Sequence, residues 1–392
     1  MGTNIDNIIV VNEQEIIQTS IDGYFKNLAI VGRFENSSLL NSYSFSPMGF
    51  EEFESLSAIG EIFPTTHQVY KCAKDVFAQK VNTGMNKSAV EKVAICQVLN
   101  TDSNIEEALV RIGYSDAYHW VLISNNDDDI DSFVEYFADK RKIPHVQTNE
   151  KEVLSNEKVV KQVGEEQVEV DNIAKLLRDK NAKAVVYYHA LTDEFLNGAM
   201  GSIHCFNRPG KIAGVFDKPS GITQDDLTDN QKSNLDKNCV NYYTAYIGQA
   251  GKYQTRVLTA GGFMSNGDEI QQQVILDRII LNLQSAGMDA LEMKIPYDDR
   301  GGSILEGKLK AVLRQLQNEE LIAEDSLADD GTLKKGQTLQ VLSRETVKQQ
   351  YPSKFAEKCF VVKATAELAL NAKKVEINLI ETKTNFTIIT KF

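Results

Sequence analysis

The chain has 392 residues, of which 42% are hydrophobic and 25% are charged, as is ordinary for a soluble globular protein of roughly two or three domains. Forty-two basic against 55 acidic residues give a formal net charge of −13, and without a local basic patch a nucleic-acid partner is not expected. No segment approaches the roughly 20 apolar residues of a membrane helix, so membrane insertion is not expected either. The five scattered cysteines form no Cys-x-x-Cys pair, which favours reduced thiols over disulfides or structural zinc.

The N-terminal region contains one short strand-like run. Ile8, Ile9, Val10 and Val11 are apolar, mostly β-branched and flanked by asparagines, which predicts a strand. We expect residues 1–20 to form an extended arm that pairs with another subunit or, alternatively, with a sheet of its own chain. Residues 21–89 match no fold that the pattern can assign. The first residues also lack a basic stretch followed by an apolar core, so we expect synthesis in the cytoplasm without a signal peptide.

From 90 to 210, strand-like and helix-like segments alternate. This rhythm predicts an α/β domain with a mostly parallel sheet. The polar segment 149–169 is expected to be an exposed insertion. The predicted strands are Val93–Val98, Trp120–Ile123, Pro144–Val146 and Ala184–Tyr188, and the predicted helices are Ile105–Ile112, Ile130–Arg141, Asn172–Asp179 and Glu194–Phe206.

From 211 to 372 the pattern changes to that of an α+β domain. A glycine-bracketed hairpin is followed by two long helices, Asp268–Ser285 and Ser303–Leu321, and then by further strands. Apolar residues of the second helix, from Leu305 to Leu316, repeat at helical spacing and form one face. The basic residues of that helix lie off this face. We predict that they face acidic residues of a partner or, alternatively, form only a solvated face: Lys308, Lys310 and Arg314.

Residues 373–392 read as two strands with a period of two. Apolar residues alternate with polar ones, and such a segment exposes a pairing edge unless another strand covers it. We therefore predict a C-terminal arm that adds strands to a neighbouring subunit; the alternative is that it closes its own sheet. The positions predicted to link subunits here are Val375, Ile377, Leu379, Phe386, Ile388 and Phe392.

The search for catalytic chemistry finds no complete motif. Among the five histidines, only His189 ends a predicted strand of the α/β domain, where Ser202 or Asp193 would be its partners in a hydrolase. No Gly-x-Ser-x-Gly elbow, phosphate-binding loop or calcium loop is present, and the acidic run that starts at Asp127 is better explained as helix capping. We expect no catalytic, cofactor or metal site, and a structural role.

Several short motifs follow one another in a characteristic order between residues 187 and 298. They are Tyr187-Tyr188-His189, Asn197-Gly198-Ala199-Met200-Gly201-Ser202, Arg208-Pro209-Gly210, Ser220-Gly221-Ile222-Thr223, Leu227-Thr228, Asn238-Cys239-Val240-Asn241-Tyr242, Gly261-Gly262-Phe263 and Ile295-Pro296-Tyr297-Asp298. Together, in this order, they resemble contractile phage tail sheath proteins, which also occur in phage-tail-like bacteriocins. The helix that usually carries Asp-Trp in that family reads Leu276-Asp277-Arg278 here, and residues 1–89 match nothing in it.

This resemblance implies a sheath subunit that polymerises helically around an inner tail tube and contracts to drive the tube through a target cell envelope. It implies terminal arms that share strands between subunits, no cofactor, and as partners the chain itself, the tube protein, and baseplate and tail terminator proteins. In such a sheath we predict that the tube is the partner that Lys308, Lys310 and Arg314 face. The location would be a virion tail or phage-tail-like particle assembled in the bacterial host cytoplasm. The alternatives are another self-assembling tail or secretion-sheath protein and an α/β hydrolase.

Overall fold

An eight-stranded mixed sheet organises most of the chain up to residue 260 in the computed structural model. The structure describes residues 24–80, 90–163, 166–206, 214–248, 251–327, 331–370, 376–382 and 385–391. The strands are β1 (Asn27–Arg33), β2 (Phe50–Phe53), β3 (Lys92–Val98), β4 (His119–Leu122), β5 (Ile143–Thr148), β6 (Lys158–Val163), β7 (Glu166–Asp171), β8 (Val185–Tyr188), β9 (Asn241–Gly248), β10 (Gly251–Ala260), β11 (Ser326–Leu327), β12 (Leu333–Lys334), β13 (Gln337–Val341), β14 (Val362–Ala366), β15 (Glu376–Thr382) and β16 (Asn385–Lys391).

Twelve α-helices lie in the described residues. Among these, no helix combines the length and the hydrophobicity needed to cross a lipid bilayer. The helices are α1 (Leu56–Gly60), α2 (Gln68–Phe77), α3 (Ile105–Ile112), α4 (Asp127–Tyr136), α5 (Lys151–Ser155), α6 (Ile173–Asp179), α7 (Leu196–Phe206), α8 (Asp229–Lys237), α9 (Ile270–Glu292), α10 (Asp299–Asn318), α11 (Arg344–Gln350) and α12 (Pro352–Ala356).

The strand order of the large sheet is β10-β9-β8-β5-β4-β1-β3-β2. Neighbours from β9 to β3 pair in parallel, and antiparallel β10 and β2 form the two edges. Both faces of the parallel strands are buried: α3, α4 and α6 cover one face, whereas α2, α7 and α9 cover the other. This is why β3 and β8 are nearly continuous runs of apolar residues rather than alternating ones.

The α/β character predicted from the sequence is confirmed, but the sheet is larger than the predicted range 90–210. It also contains β1 and β2, from the segment that matched no fold, and β9 and β10, from the segment predicted to be α+β. The proposed boundaries at 90 and 211 therefore do not separate two sheets, and the division of the chain into domains stays a prediction. Within the segment 149–169, predicted to be an insertion, α5 and the hairpin of β6 and β7 form, and the hairpin pairs with no other described strand.

A second apolar core lies beyond the sheet. The C-terminal half of α9 packs against α10, and both pack against β13, with Ile279, Leu309, Leu313 and Leu339 among the buried residues. Helix α9 belongs to two cores, because Ile270 and residues near it contact the sheet side instead. This region also contains the short helices α11 and α12, and its strands form two-stranded ribbons, β11 with β12 and β13 with β14.

Candidate functional site

Helix α10 carries the three basic residues predicted to face a partner, and the structure separates them. Lys310 pairs with Glu306 one turn earlier, and the other carboxylate oxygen of Glu306 accepts a hydrogen bond of 2.9 Å from the Val341 amide of β13. These hydrogen bonds lower the pKa of Glu306, the bond from Lys310 most. Lys310 is therefore already engaged within its own chain, which makes it the weakest candidate for an intermolecular contact.

The other two basic residues of α10 do not share one face. Lys308 is half-buried and Arg314 is exposed, and at 3.6 residues per turn their Cα–Cβ directions differ by about 120° around the axis. The exposed residues near Arg314 are otherwise uncharged and include Gly307, Ala311 and Asn318. The structure therefore does not gather the three basic residues on one face, and their contact with a partner stays a prediction.

The predicted linking strands of the C-terminus are present as a hairpin. Strands β15 and β16 pair antiparallel, with Leu379 opposite Ile388 and Ile377 opposite Thr390. The hairpin forms a two-stranded sheet of its own in the described part of the chain. It brings together Ile377, Leu379, Phe386 and Ile388, whereas Val375, Phe392 and the N-terminal positions Ile8, Ile9, Val10 and Val11 lie outside the described residues.

His189, the histidine expected at a strand end, follows β8 directly and is fully buried. Its Nδ1 lies 2.9 Å from Asp225 Oδ2, and Asp225 Oδ1 also accepts a 3.0 Å bond from the Ala190 amide. Glu194 Oε2 lies 3.4 Å from the other ring nitrogen. His189 is thus held between two carboxylates at the end of β8, and within the described residues no serine, threonine or cysteine side chain bonds to its ring.

The other two residues of the hydrolase hypothesis are engaged elsewhere. The buried Ser202 Oγ donates a 2.8 Å hydrogen bond to the Val76 carbonyl, which fastens α7 to α2. Asp193 accepts a 2.7 Å bond from Lys71 Nζ, and this bond lowers the pKa of the carboxyl. No hydrogen bond joins any two of His189, Ser202 and Asp193 in the described residues, so the structure does not assemble the triad.

A cavity of about 380 Å³ opens where β1 and β4 end, at the point where the strand order reverses. Ligands of open α/β sheets bind at such a position. The sequence pattern did not predict this cavity, because it did not predict strand β1. The polar groups here mainly satisfy one another: Ser124 Oγ donates to Asp129 Oδ2 at 2.7 Å, and Arg33 lies 3.7 Å from Asp129 Oδ1. The cavity thus carries no ligand assignment.

A buried ionic network fastens α9 to the sheet. Asp277 accepts hydrogen bonds from Tyr118 (2.6 Å), Arg141 (2.7 Å) and Gln273 (3.0 Å). Burial raises the pKa of Asp277, and these hydrogen bonds oppose the effect. Arg278, where the resembled family has tryptophan, places its guanidinium 5.4 Å from the ring centre of Phe25. Asp277 and Arg278 therefore both help to hold α9 against the sheet region.

Comparison with solved structures finds the same fold in a chain of a prophage baseplate. A chain in the structure titled "Cryo-EM structure of the anti-feeding prophage (AFP) baseplate, 6-fold symmetrised" superposes with a TM-score of 0.56 and 10% sequence identity, over 92% of this chain and 94% of that one. Comparison with protein families finds no match, and neither does comparison with curated proteins. The two chains therefore share a fold, and at 10% sequence identity the match shows nothing beyond the fold.

Proposed function

We propose that this chain is a non-enzymatic structural subunit of a phage-tail-like contractile injection system. The observation that carries the proposal is the shared fold with a chain of the anti-feeding prophage baseplate over nearly the full length of both chains. The ordered motifs from Tyr187 to Asp298, which resemble tail sheath proteins, support the same class. The dispersed partners of His189, Ser202 and Asp193 give no comparable support to a hydrolase.

Within this class we propose the sheath itself. The subunits polymerise helically around an inner tail tube, and contraction drives the tube through a target envelope by a transition between two packed arrangements. The C-terminal hairpin supports this role, because a two-stranded ribbon is marginally stable alone and gains from pairing with a neighbour. The partners are further copies of the chain, the tube protein, and baseplate and tail terminator proteins, in a virion tail or tail-like particle assembled in the bacterial cytoplasm.

A second candidate is a baseplate subunit, which the printed title of the structural neighbour favours. The two roles differ in how the subunits propagate: a sheath builds an open helix, whereas a six-fold baseplate component builds a closed ring.

Co-expression with the inner tube protein of the same particle, followed by negative-stain electron microscopy, distinguishes these roles. Helical tubes that surround the inner tube support the sheath, and closed rings that do not stack support the baseplate subunit. If the folded chain forms neither assembly with the tube protein, the proposal is wrong.

A further inference from the structure

Three of the five histidines meet inside the sheet region, away from every surface discussed so far. His119 begins β4, His145 lies in β5, and His204 lies in α7, which packs across both strands. Each is at most 1% exposed. One nitrogen from each ring lies within 4.8 Å of the other two, and this cluster is the only such group of three metal-ligating side chains in the described residues.

The fold forces this meeting through strand register and a close helix. In the parallel pair β4 and β5, Val121 stands opposite His145, so His119 projects from the same face as His145, one step along the strand. Gly201 lets α7 approach that face: a Cβ there would lie 3.2 Å from Val121 Cγ2 and 3.6 Å from His145 Cδ2. His204 lies about one helical turn after Gly201 in α7. The centres of the three imidazole rings form a triangle with sides of 5.2, 5.5 and 6.0 Å.

The hydrogen bonds of this cluster are incomplete. His119 Nδ1 and His145 Nε2 share one bond at 3.0 Å, and His145 Nδ1 lies 3.4 Å from the Tyr187 hydroxyl. His119 Nε2 and both ring nitrogens of His204 have no hydrogen-bond partner in the described part of the chain. Unsatisfied buried groups are costly and call for an explanation. A ligand shared by the three rings would occupy one nitrogen of each.

The rings are in the protonation state that a metal ion requires. Burial lowers the pKa of all three imidazoles, that of His204 to about 3, so each ring is neutral near pH 7 and keeps one lone pair. The Tyr187 hydroxyl is placed to accept the Nδ1 proton of His145, which leaves the Nε2 lone pair pointing into the cluster.

We propose that His119, His145 and His204 form a buried structural site for a divalent late first-row metal ion, with Zn²⁺ as the best fit. Tetrahedral geometry with Zn–N bonds of about 2.0–2.1 Å places the ligand nitrogens about 3.3 Å apart. His119 Nδ1 and His145 Nε2 are 3.0 Å apart, and the nitrogen of His204 lies within 4.8 Å of both rings. Binding moves the ring proton of His119 from Nδ1 to Nε2, so no proton is lost. Water takes the fourth position. The ion joins two strands to one helix, and the site is independent of the proposed function.

The sequence did not reveal this site. His119 and His145 are 26 residues apart, and no short spacing of the metal-binding kind connects either to His204. The prediction that the chain holds no metal rested on the cysteines and on local motifs, whereas these ligands are adjacent only in the folded sheet.

The test measures metal in the full-length protein, expressed in medium supplemented with Zn²⁺ and dialysed against EDTA. We expect about one Zn²⁺ per chain by mass spectrometry, because a fully buried ion exchanges only when the fold opens. We also expect a higher thermal midpoint after refolding with Zn²⁺ than after refolding with EDTA. Refolding with Co²⁺ should give the visible absorption of a four-coordinate site.

Two variants control the assignment. His204→Gln should lose the metal, whereas His67→Asn should keep it, because His67 lies outside the cluster, where it caps α2. The proposal is overturned if wild-type protein retains no metal and its midpoint is the same with Zn²⁺ and EDTA, or if folded His204→Gln retains the full amount. If His204→Gln does not fold, the thermal midpoints of wild type refolded with Zn²⁺ and with EDTA still test the proposal.

Discussion

The central sheet and the C-terminal ribbons differ in how they use their strands. In the sheet, β3 and β8 are buried on both sides, because helices cover both faces of the sheet. In the ribbons, every residue of β14 is exposed, and β13 buries only Leu339 and Val341 against α10. The sheet is thus stabilised by its own interior, whereas the ribbons present backbone edges and polar faces that other chains can use.

The junction between these regions should give the largest effect on stability. Asp277→Ala removes the buried carboxylate that holds Arg141 and Tyr118, and the uncompensated charge should lower the free energy of unfolding by about 3–5 kcal/mol. Urea denaturation followed by circular dichroism measures this loss.

The matched control is an ion pair of the ribbon region. Glu367→Gln breaks the exposed pair with Lys334 and should cost no more than about 1 kcal/mol. A loss for Asp277→Ala as small as that of the control would show that α9 is not fastened by this network.

A buried carboxyl between α2 and α7 should give the next effect, visible in the pH dependence. Burial raises the pKa of Asp75 to about 6, although its side chain accepts a 2.8 Å bond from the Phe195 amide. The folded state therefore binds a proton that the unfolded state has released, so this group's contribution to stability falls as pH rises from about 4 to about 6. Over that range the stability of wild type relative to Asp75→Asn should fall by about 2 kcal/mol.

Denaturation series at several pH values measure this difference, and the exposed Asp193 provides the control. Its pKa is lowered by Lys71, so Asp193→Asn should give no loss of relative stability as pH rises. A flat difference between wild type and Asp75→Asn from pH 4 to 6 would contradict the prediction.

Charge reversal on α10 should change stability by no more than about 0.5 kcal/mol, because both positions lie off the apolar face. If this helix faces the tube, Lys308→Glu with Arg314→Glu should weaken assembly around tubes, more so at low salt. Sedimentation with tube protein measures the effect. Lys310→Glu alone should matter less, since Lys310 already pairs with Glu306. Normal tube-filled particles from the double variant would place the tube contact elsewhere.

Removal of residues 383–392 should have the smallest effect on folding and a complete effect on assembly. This segment contains β16, which pairs only with β15 in the described chain, so the thermal midpoint of the sheet should not change. Electron microscopy should show no polymers. A lowered midpoint would mean that the hairpin belongs to the core of its own subunit.

Local pattern predicted the elements whose burial follows from their own sequence. Helix α3 has the predicted bounds, Ile105–Ile112, because its apolar face, its Asn104 cap and its terminal Gly113 are all local signals. The position of β1 could not be predicted, because its partners β3 and β4 lie far along the chain and register in a parallel sheet has no local signal. The histidine cluster was missed for the same reason.

The central position of β1 has a consequence for the timing of biosynthesis. Among the described strands, β1 is synthesised first, yet its Asn27 pairs with Lys92 and its Leu28 with His119, so the sheet forms through long-range contacts and folds slowly. The last strand of the large sheet, β10, ends at Ala260, and β15 begins at Glu376. At roughly 5–20 residues per second, the hairpin is synthesised on the order of 6–23 s later. Each nascent subunit can complete its sheet before it carries the C-terminal strands that we predict to join it to another.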